Sequence, residues 1–285
     1  MNYDNQYRPS GFGYLPVVTK NILIINVLVF AATELLKISN GIDLTDYLGL
    51  HYYAANAFKP HQFVTYLFMH GNFSHILFNM IGVYVFGQVL EQIWGPKKYL
   101  VFYVLTGFGA AIAEYVVMSF SVGPVMDSIL AVQNHLSQST FEALLNTSDF
   151  QSTLSFDFIG TYNEFVQKYN QAILEKSPRA MALASQFLID YKNQFLDSKV
   201  IIGASGSLFG LLGAFGMLFP NRYLYLYFFF PIKAKWLVTA YGAFELISGL
   251  QNNASDNVAH FAHLGGLFVG ILLVVLWRRD REQFY

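Results

Sequence analysis

The chain has 285 residues, of which 54% are hydrophobic and only 12% are charged. Because soluble domains carry about a quarter charged residues, this composition predicts a polytopic membrane protein. A net charge of −1 argues against a nucleic-acid-binding protein. The sequence contains no cysteine, which excludes disulfides, thiolate metal sites and a cysteine nucleophile.

Six apolar stretches approach the length of about 20 residues that a helix needs to cross a bilayer. In chain order they are 21–36, 73–90, 99–122, 200–219, 235–250 and 258–277. We interpret 38–72 as a structured outer loop with one helix lying at the membrane interface. The predicted fold class is an all-α polytopic bundle of six transmembrane helices.

Basic residues predict the orientation of these spans, since short cytoplasmic loops are enriched in Lys and Arg. With the N-terminus inside, the inner side holds Arg8, Lys20, Lys97, Lys98, Arg222, Lys233, Lys235, Arg278, Arg279 and Arg281. The short outer loops hold only Lys37 and Lys59. We therefore expect a cytoplasmic N-terminal segment (1–20) and a cytoplasmic tail (279–285). No transit segment is evident, which favours a bacterial cytoplasmic membrane.

A polar insertion, 123–198, separates the third span from the fourth and is rich in Ser, Asn and Gln. It separates a first region of three predicted transmembrane helices (21–122) from a second region of three (199–278). Within it, 158–176 and 180–197 have helical periodicity. The apolar face of the second helix holds Phe187, Leu188, Tyr191 and Phe195. We interpret the insertion as a helical cap on the outer side, with substrate capture or partner docking as the alternative.

Ser205 and His263 are the residues that best indicate a function. Each lies five residues past the start of its span, so we expect both about 8 Å below the helix start. Polar groups at that depth are costly unless they interact. Either residue alone fits a structural hydrogen bond. Together they form the minimal pair of nucleophile and general base. His260 is a competing candidate for the base.

Glycines accompany both residues and predict close packing of the two helices. Gly206 and Gly210 lie on the fourth span, and Gly266 and Gly270 form a Gly-x-x-x-Gly on the sixth. Such stripes let helix backbones approach each other in a membrane. Gly203 and Gly206 also leave space beside the serine. If the helix begins near Gly203, its free N–H groups point toward the reaction centre.

His75 and Asn79 lie four residues apart on the second span, hence on one helix face. An imidazole and a carboxamide are suitable donors for a developing oxyanion. The alternative is a pair of interhelical hydrogen bonds that fix the bundle.

Other polar residues suggest rival functions. The histidines 70, 75, 260 and 263 lack a His-Glu-x-x-His pattern and have no evident carboxylate partner, so we expect no metal site. Glu34, Glu114 and Glu245 are intramembrane carboxylates and would suit a small transporter. That function predicts internal repeats, which we do not find in the sequence.

Three motifs resemble those of the rhomboid intramembrane serine proteases. They are the segments Gly203-Ala204-Ser205-Gly206, Ala262-His263-Leu264-Gly265-Gly266 and His75-Ile76-Leu77-Phe78-Asn79. They occur in the family's order, and the resemblance covers 17–122 and 199–278. Two departures are the missing Trp-Arg pair in 38–72 and the length of the insertion.

The resemblance implies a Ser-His dyad without an aspartate, a cofactor or a metal. Ser205 would be the nucleophile and His263 the base, with Phe209 packed on the imidazole. His75 and Asn79 would hold the oxyanion with the Ser205 N–H. The implied partners are transmembrane protein substrates within the lipid bilayer. The alternative is a catalytically silent member of the same fold that binds and escorts membrane clients.

Overall fold

The computed structural model describes residues 15–154, 156–226, 230–251 and 258–282. Most of the expected N-terminal segment and the end of the expected tail lie outside these residues. The described residues fall into two compact units. The first comprises residues up to 50, 59–116 and 201 onward, and the second comprises 51–58 and 117–200.

Helices make up most of both units. In chain order they are α1 (Val17–Asn40), α2 (Thr45–Leu48), α3 (Gln62–Thr65), α4 (Phe73–Gly82), α5 (Gln88–Trp94), α6 (Pro96–Asn134), α7 (Gln138–Leu145), α8 (Ser148–Thr153), α9 (Phe156–Leu174), α10 (Arg179–Asp197), α11 (Ser205–Leu218), α12 (Ala234–Gln251) and α13 (His260–Glu282). A 3-10 turn, Tyr66–Phe68, follows α3, and a π-turn, Val83–Gly87, joins α4 to α5.

Two short strand pairs were not predicted. The strands are β1 (Leu50–His51), β2 (Val200–Ile201), β3 (Tyr223–Leu226) and β4 (Phe230–Lys233). β1 pairs with β2, and β3 pairs antiparallel with β4. They do not alter the fold class, which is the predicted helical membrane bundle.

Four helical stretches of the described chain are long and apolar enough to cross a membrane. They are Val17–Asn40, Phe73–Trp94, Pro96–Asn134 and His260–Trp277. Large apolar side chains such as Leu28 and Phe268 are about two-thirds exposed, at 63% and 66%. Exposed apolar surface of this kind is typical of a lipid-facing helix. The first, second, third and sixth predicted spans are therefore confirmed as helices of membrane length.

The fourth predicted span differs from the observed helix. We expected it to begin at Val200, but Val200 and Ile201 form β2, and α11 begins at Ser205 with 14 residues. Gly203 has a φ of +118°, which a continuous helix does not accommodate. Nearly every residue of α11 is buried, so this helix is surrounded by protein. The expected depth of about 8 Å for Ser205 is thus wrong, because Ser205 is the first helical residue.

The third predicted span also differs. We expected it to end at Val122, but α6 continues through Gly123 and Pro124 to Asn134. A proline inside a helix removes one hydrogen bond and disfavours the helix. In the second unit, Ile129 and Val132 are buried in the extended part, at 0% and 9% exposure. Their burial offsets the local preference for a break.

The second unit has an aromatic core of its own. The helices expected at 158–176 and 180–197 are confirmed as α9 and α10. The predicted apolar face is buried, including Phe187 and Tyr191. The rings of Phe165 and Phe187 stack with centroids 4.1 Å apart. The insertion therefore forms a folded helical unit.

Between α1 and α4, the helices that the structure describes are two of four residues each and the 3-10 turn, not one interface helix. Two hydrogen bonds hold this segment. The Tyr66 hydroxyl donates to the Gly107 carbonyl at 2.7 Å, and the Thr65 hydroxyl donates to the Leu48 carbonyl at 2.8 Å. These bonds anchor the loop without a Trp-Arg pair.

Glu91 fixes the beginning of α1. Its carboxylate accepts hydrogen bonds from the Val18 N–H at 2.9 Å and from the Thr19 N–H and hydroxyl, each at 2.7 Å. The N–H groups at a helix start lack intrahelical acceptors, and the helix dipole favours a negative charge there. Glu91 therefore ties α5 to α1.

We predict that Glu91→Ala destabilises the first unit by about 2–3 kcal/mol, because three hydrogen bonds to a buried carboxylate are lost. Thermal unfolding in detergent micelles measures the change. Glu91→Gln retains one acceptor oxygen and should lose less. Equal midpoints for Glu91→Ala and the parent protein would contradict the assigned role.

Candidate active site

The structure brings Ser205 and His263 together in the first unit. The Ser205 Oγ lies 2.8 Å from the His263 Nε2. Ser205 is the first residue of α11, and His263 lies in the first turn of α13. Both side chains therefore lie at helix starts. This distance permits transfer of the serine proton to the imidazole.

Backbone geometry explains why Ser205 begins a helix. The Gly203 N–H donates to the Tyr66 carbonyl at 2.9 Å, and Gly203 turns the chain with its positive φ. The first helical hydrogen bond then runs from the Leu208 N–H to the Ala204 carbonyl at 2.9 Å. The N–H groups from Ser205 to Ser207 precede that bond and have no intrahelical acceptor.

Glycine contacts set the separation of α11 and α13. A Cβ atom placed on Gly266 would collide with the backbone of Gly206. A Cβ atom on Gly270 would lie 2.6 Å from the Gly210 carbonyl oxygen. The two helices thus meet backbone to backbone, as small-residue stripes allow. This contact brings the short serine side chain within reach of the imidazole.

Phe209 packs on the imidazole. The rings of Phe209 and His263 are nearly parallel, with an interplanar angle of 6° and centroids 4.4 Å apart. Phe209 lies one turn after Ser205 on the same helix. The stacked ring restricts rotation of His263 and keeps its Nε2 directed at the serine.

A second serine on α11 has a structural contact. Ser207 is fully buried, and its hydroxyl donates to the Tyr103 carbonyl on α6 at 2.7 Å. The two serines lie two residues apart but have different partners. Ser207 is therefore a matched comparison for Ser205.

His75 and Asn79 both lie on α4. A Cβ atom on Gly203 would lie 2.8 Å from the His75 Nε2 and 3.6 Å from the Ser205 Oγ, so His75 and Ser205 flank one position. Asn79 is buried, and its Nδ2 has no hydrogen-bond acceptor among the described residues. A buried donor of this kind is available to an acceptor oxygen that enters the site.

The loop before α4 adds a further imidazole. The rings of His70 and His75 meet edge to face with centroids 4.9 Å apart. Burial lowers the pKa of His70 to about 4, so this ring is neutral at physiological pH. His70 therefore adds no positive charge beside the serine.

Sequence reasoning missed the carboxylate partner of the histidines. Glu245 Oε2 on α12 lies 2.6 Å from the His260 Nδ1 and 3.0 Å from the His263 Nδ1. The first contact is a hydrogen bond, whereas the second is within ion-pair distance but outside hydrogen-bond geometry. Our expectation that no carboxylate accompanies the histidines is wrong. The three-residue spacing of His260 and His263 was a signal for a shared partner, because it places both imidazoles on one helix face.

The same three side chains also form the one group within the described chain that matches metal-ligand geometry. Their donor atoms lie within 4.8 Å of one another. His260 directs its Nδ1 at Glu245, and the contact with the Ser205 hydroxyl is made by His263.

Glu114 has a local structural contact. Its carboxylate accepts a hydrogen bond from the Ala262 N–H at 3.1 Å, in the first turn of α13. It thus satisfies one of the free N–H groups of that helix. A capping carboxylate does not require a transport function.

Comparisons with known proteins agree on one family. The family model described as Rhomboid domain matches residues 57–126 and 178–280, which is more than half of the chain. Both matched segments contain site residues, and the unmatched residues between them lie in the helical insertion.

Two curated relatives are similar over part of their lengths. Rhomboid-like protein 11 of Arabidopsis thaliana, a chloroplast protein, is 30% identical over 87 residues, 27% of this chain and 31% of that protein. An uncharacterized mitochondrial rhomboid protein of Schizosaccharomyces pombe is 23% identical over 223 residues, 76% of this chain and 51% of that protein. The chain thus spans about half or less of either relative.

We predict that Gly266→Ala destabilises the protein by about 1–3 kcal/mol, because the added methyl group forces α13 away from α11. Thermal unfolding in micelles measures the change. Gly123→Ala is the matched control, since a Cβ atom on Gly123 has no neighbour within 4 Å. Equal losses of stability for the two variants would contradict the close helix contact.

Proposed function

This chain belongs to the rhomboid family, and we propose that it is an intramembrane serine endopeptidase. It would hydrolyse peptide bonds in or near the transmembrane segments of other membrane proteins. The observation that carries the proposal is the 2.8 Å contact between the Ser205 Oγ and the His263 Nε2. No step of the proposed reaction uses a cofactor.

In the proposed reaction, Ser205 attacks the carbonyl carbon of the scissile bond while His263 Nε2 accepts the hydroxyl proton. The tetrahedral intermediate then collapses, the carbon–nitrogen bond breaks, and His263 returns the proton to the leaving amine. Water releases the acyl group from Ser205 by the same steps. Residues of a transmembrane helix must unwind first, because their carbonyls are already hydrogen-bonded.

Three donors are suitable for the negative oxygen of the intermediate. They are the free N–H of Ser205 at the start of α11, the buried Nδ2 of Asn79 and the imidazole of His75. Preorganised donors of this kind are a large source of catalysis in acyl transfer. We assign the oxyanion site to these three groups.

The protein is an integral, multi-pass membrane protein. We propose that both termini face the cytoplasm of a bacterial cell and that the site opens to the outer side. The excess of basic residues predicted on the inner side supports this orientation. The two relatives are named as chloroplast and mitochondrial proteins, and those locations describe the relatives.

We predict that Ser205→Ala abolishes labelling by a fluorophosphonate probe and cleavage of a model transmembrane substrate, because the nucleophile is removed. Ser207→Ala, on the same helix, should remain active and lose about 1 kcal/mol of stability. In-gel fluorescence in micelles measures the labelling. A parent protein that stays unlabelled would favour the silent, client-binding alternative.

We predict that Asn79→Ala lowers kcat by about a hundredfold or more, because one oxyanion donor is lost. The KM for the model substrate should change little. Asn26→Ala is the control, since Asn26 is a buried asparagine on α1 that donates to the Ile22 carbonyl. Steady-state kinetics measures both variants. An unchanged kcat for Asn79→Ala would remove Asn79 from the oxyanion site.

A further inference from the structure

Glu245 is a carboxylate in the interior of a membrane protein. Its side chain is only 6% exposed. A buried carboxylate is strongly unfavourable unless hydrogen bonds or opposite charges compensate it. Among the described residues, its close partners are the imidazoles of His260 and His263 on α13. The presence of Glu245 is therefore explained by what it does to these rings.

Both contacts are made by Nδ1 atoms. A carboxylate only accepts hydrogen bonds, so the His260 Nδ1 that bonds to it must carry a proton. The His263 Nδ1 lies 3.0 Å from the same negative charge, which favours a proton on that atom as well. A neutral His263 with its proton on Nδ1 has a free lone pair on Nε2. The Ser205 hydroxyl lies 2.8 Å from that lone pair. Glu245 thus selects the tautomer in which His263 can act as a base.

We propose that Glu245 is a positioning residue for His263, so that a Ser205–His263–Glu245 series replaces a simple dyad. His260, bound to the same carboxylate oxygen at 2.6 Å, holds Glu245 in place. The inference rests on the proposed serine hydrolase function. It adds a group that the resemblance did not imply.

The proton transfer in the attack step explains how Glu245 would assist His263. When Ser205 Oγ bonds to the carbonyl carbon, its proton moves to the His263 Nε2 and the ring becomes an imidazolium. The positive ring then lies 3.0 Å from the Glu245 carboxylate. The contact gains strength as charge develops, because apo geometry in such sites commonly tightens during the reaction. Serine triads stabilise their imidazolium in the same way.

Other charged or titratable groups face the same rings. Glu114 on α6 accepts from the Ala262 N–H, and His75 on α4 lies on the serine side of His263. Neither has the contact with Nδ1 that Glu245 has. Glu114 therefore provides a comparison that shares the charge and the neighbourhood but not the geometry.

A metal ion is the competing explanation for the cluster. A cation bound by Glu245, His260 and His263 would take the Nδ1 lone pair of His263. The proton of a neutral His263 would then move to Nε2, where the ring could no longer accept the serine proton. A bound metal and the base function exclude each other at this atom.

The first test measures the tautomer of the unmodified protein. Spectra of the protein labelled with ¹⁵N-histidine in micelles distinguish Nδ1–H from Nε2–H rings, and His263→Ala assigns the signal. We expect His263 to carry its proton on Nδ1. A His263 protonated on Nε2 would overturn the inference without any change to Glu245.

The second test measures the rate of fluorophosphonate labelling and the kcat and KM for the model substrate. We expect Glu245→Gln to lower the labelling rate and kcat by about a hundredfold or more, with little change in KM. Glu245→Asp keeps the charge and should recover part of the loss. Glu114→Gln, the matched control, keeps an acceptor for Ala262 and should label like the parent protein.

Three outcomes of the labelling measurements would contradict the inference. Equal labelling of Glu245→Gln and Glu114→Gln would overturn it while leaving the proposed function intact. A labelling rate that rises when EDTA is added to the parent protein would favour the metal explanation, because removal of the ion would free His263 to act as a base. A parent protein that does not label at all would overturn the proposed function and this inference together.

Discussion

The contact of α11 with α13 is the constraint on which the site depends. Helices in lipid have no hydrophobic driving force to associate, so close van der Waals packing must stabilise their contact. The pairing of Gly266 with Gly206 and of Gly270 with Gly210 brings two backbones together where any side chain would intervene. Serine has one of the shortest polar side chains, so the close approach of these helices helps its hydroxyl to reach the imidazole.

Three buried or partly buried polar side chains in the first unit bind backbone groups of neighbouring helices. Glu91 binds the start of α1, Glu114 binds the start of α13, and Ser207 binds a carbonyl of α6. The contact of Glu114 explains one of the carboxylates that would suit a transporter. The Asn79 Nδ2 lacks an acceptor among the described residues, as do some other buried polar atoms, such as the Tyr103 hydroxyl. Asn79 differs from these because it shares a face of α4 with His75, beside Ser205.

The sequence predicted what depends on residue type and spacing. It predicted that Ser205 and His263 approach each other, that glycines set the contact of their helices, and where most helices lie. It failed where tertiary packing outweighs local preference. The continuation of α6 through Pro124 depends on burial of Ile129, and the role of Glu245 depends on contacts between helices. A carboxylate on one span and imidazoles on the next give no periodic signal, since only folding brings them together.

Gly203 illustrates how such a site limits evolutionary change. Its φ of +118° excludes most side chains, and the space above its α-carbon is taken by the His75 ring. Its N–H is also bound to the Tyr66 carbonyl. A second mutation that relieved one of these restrictions would leave the others in force. Compensatory pairs of substitutions should therefore be rare at this position.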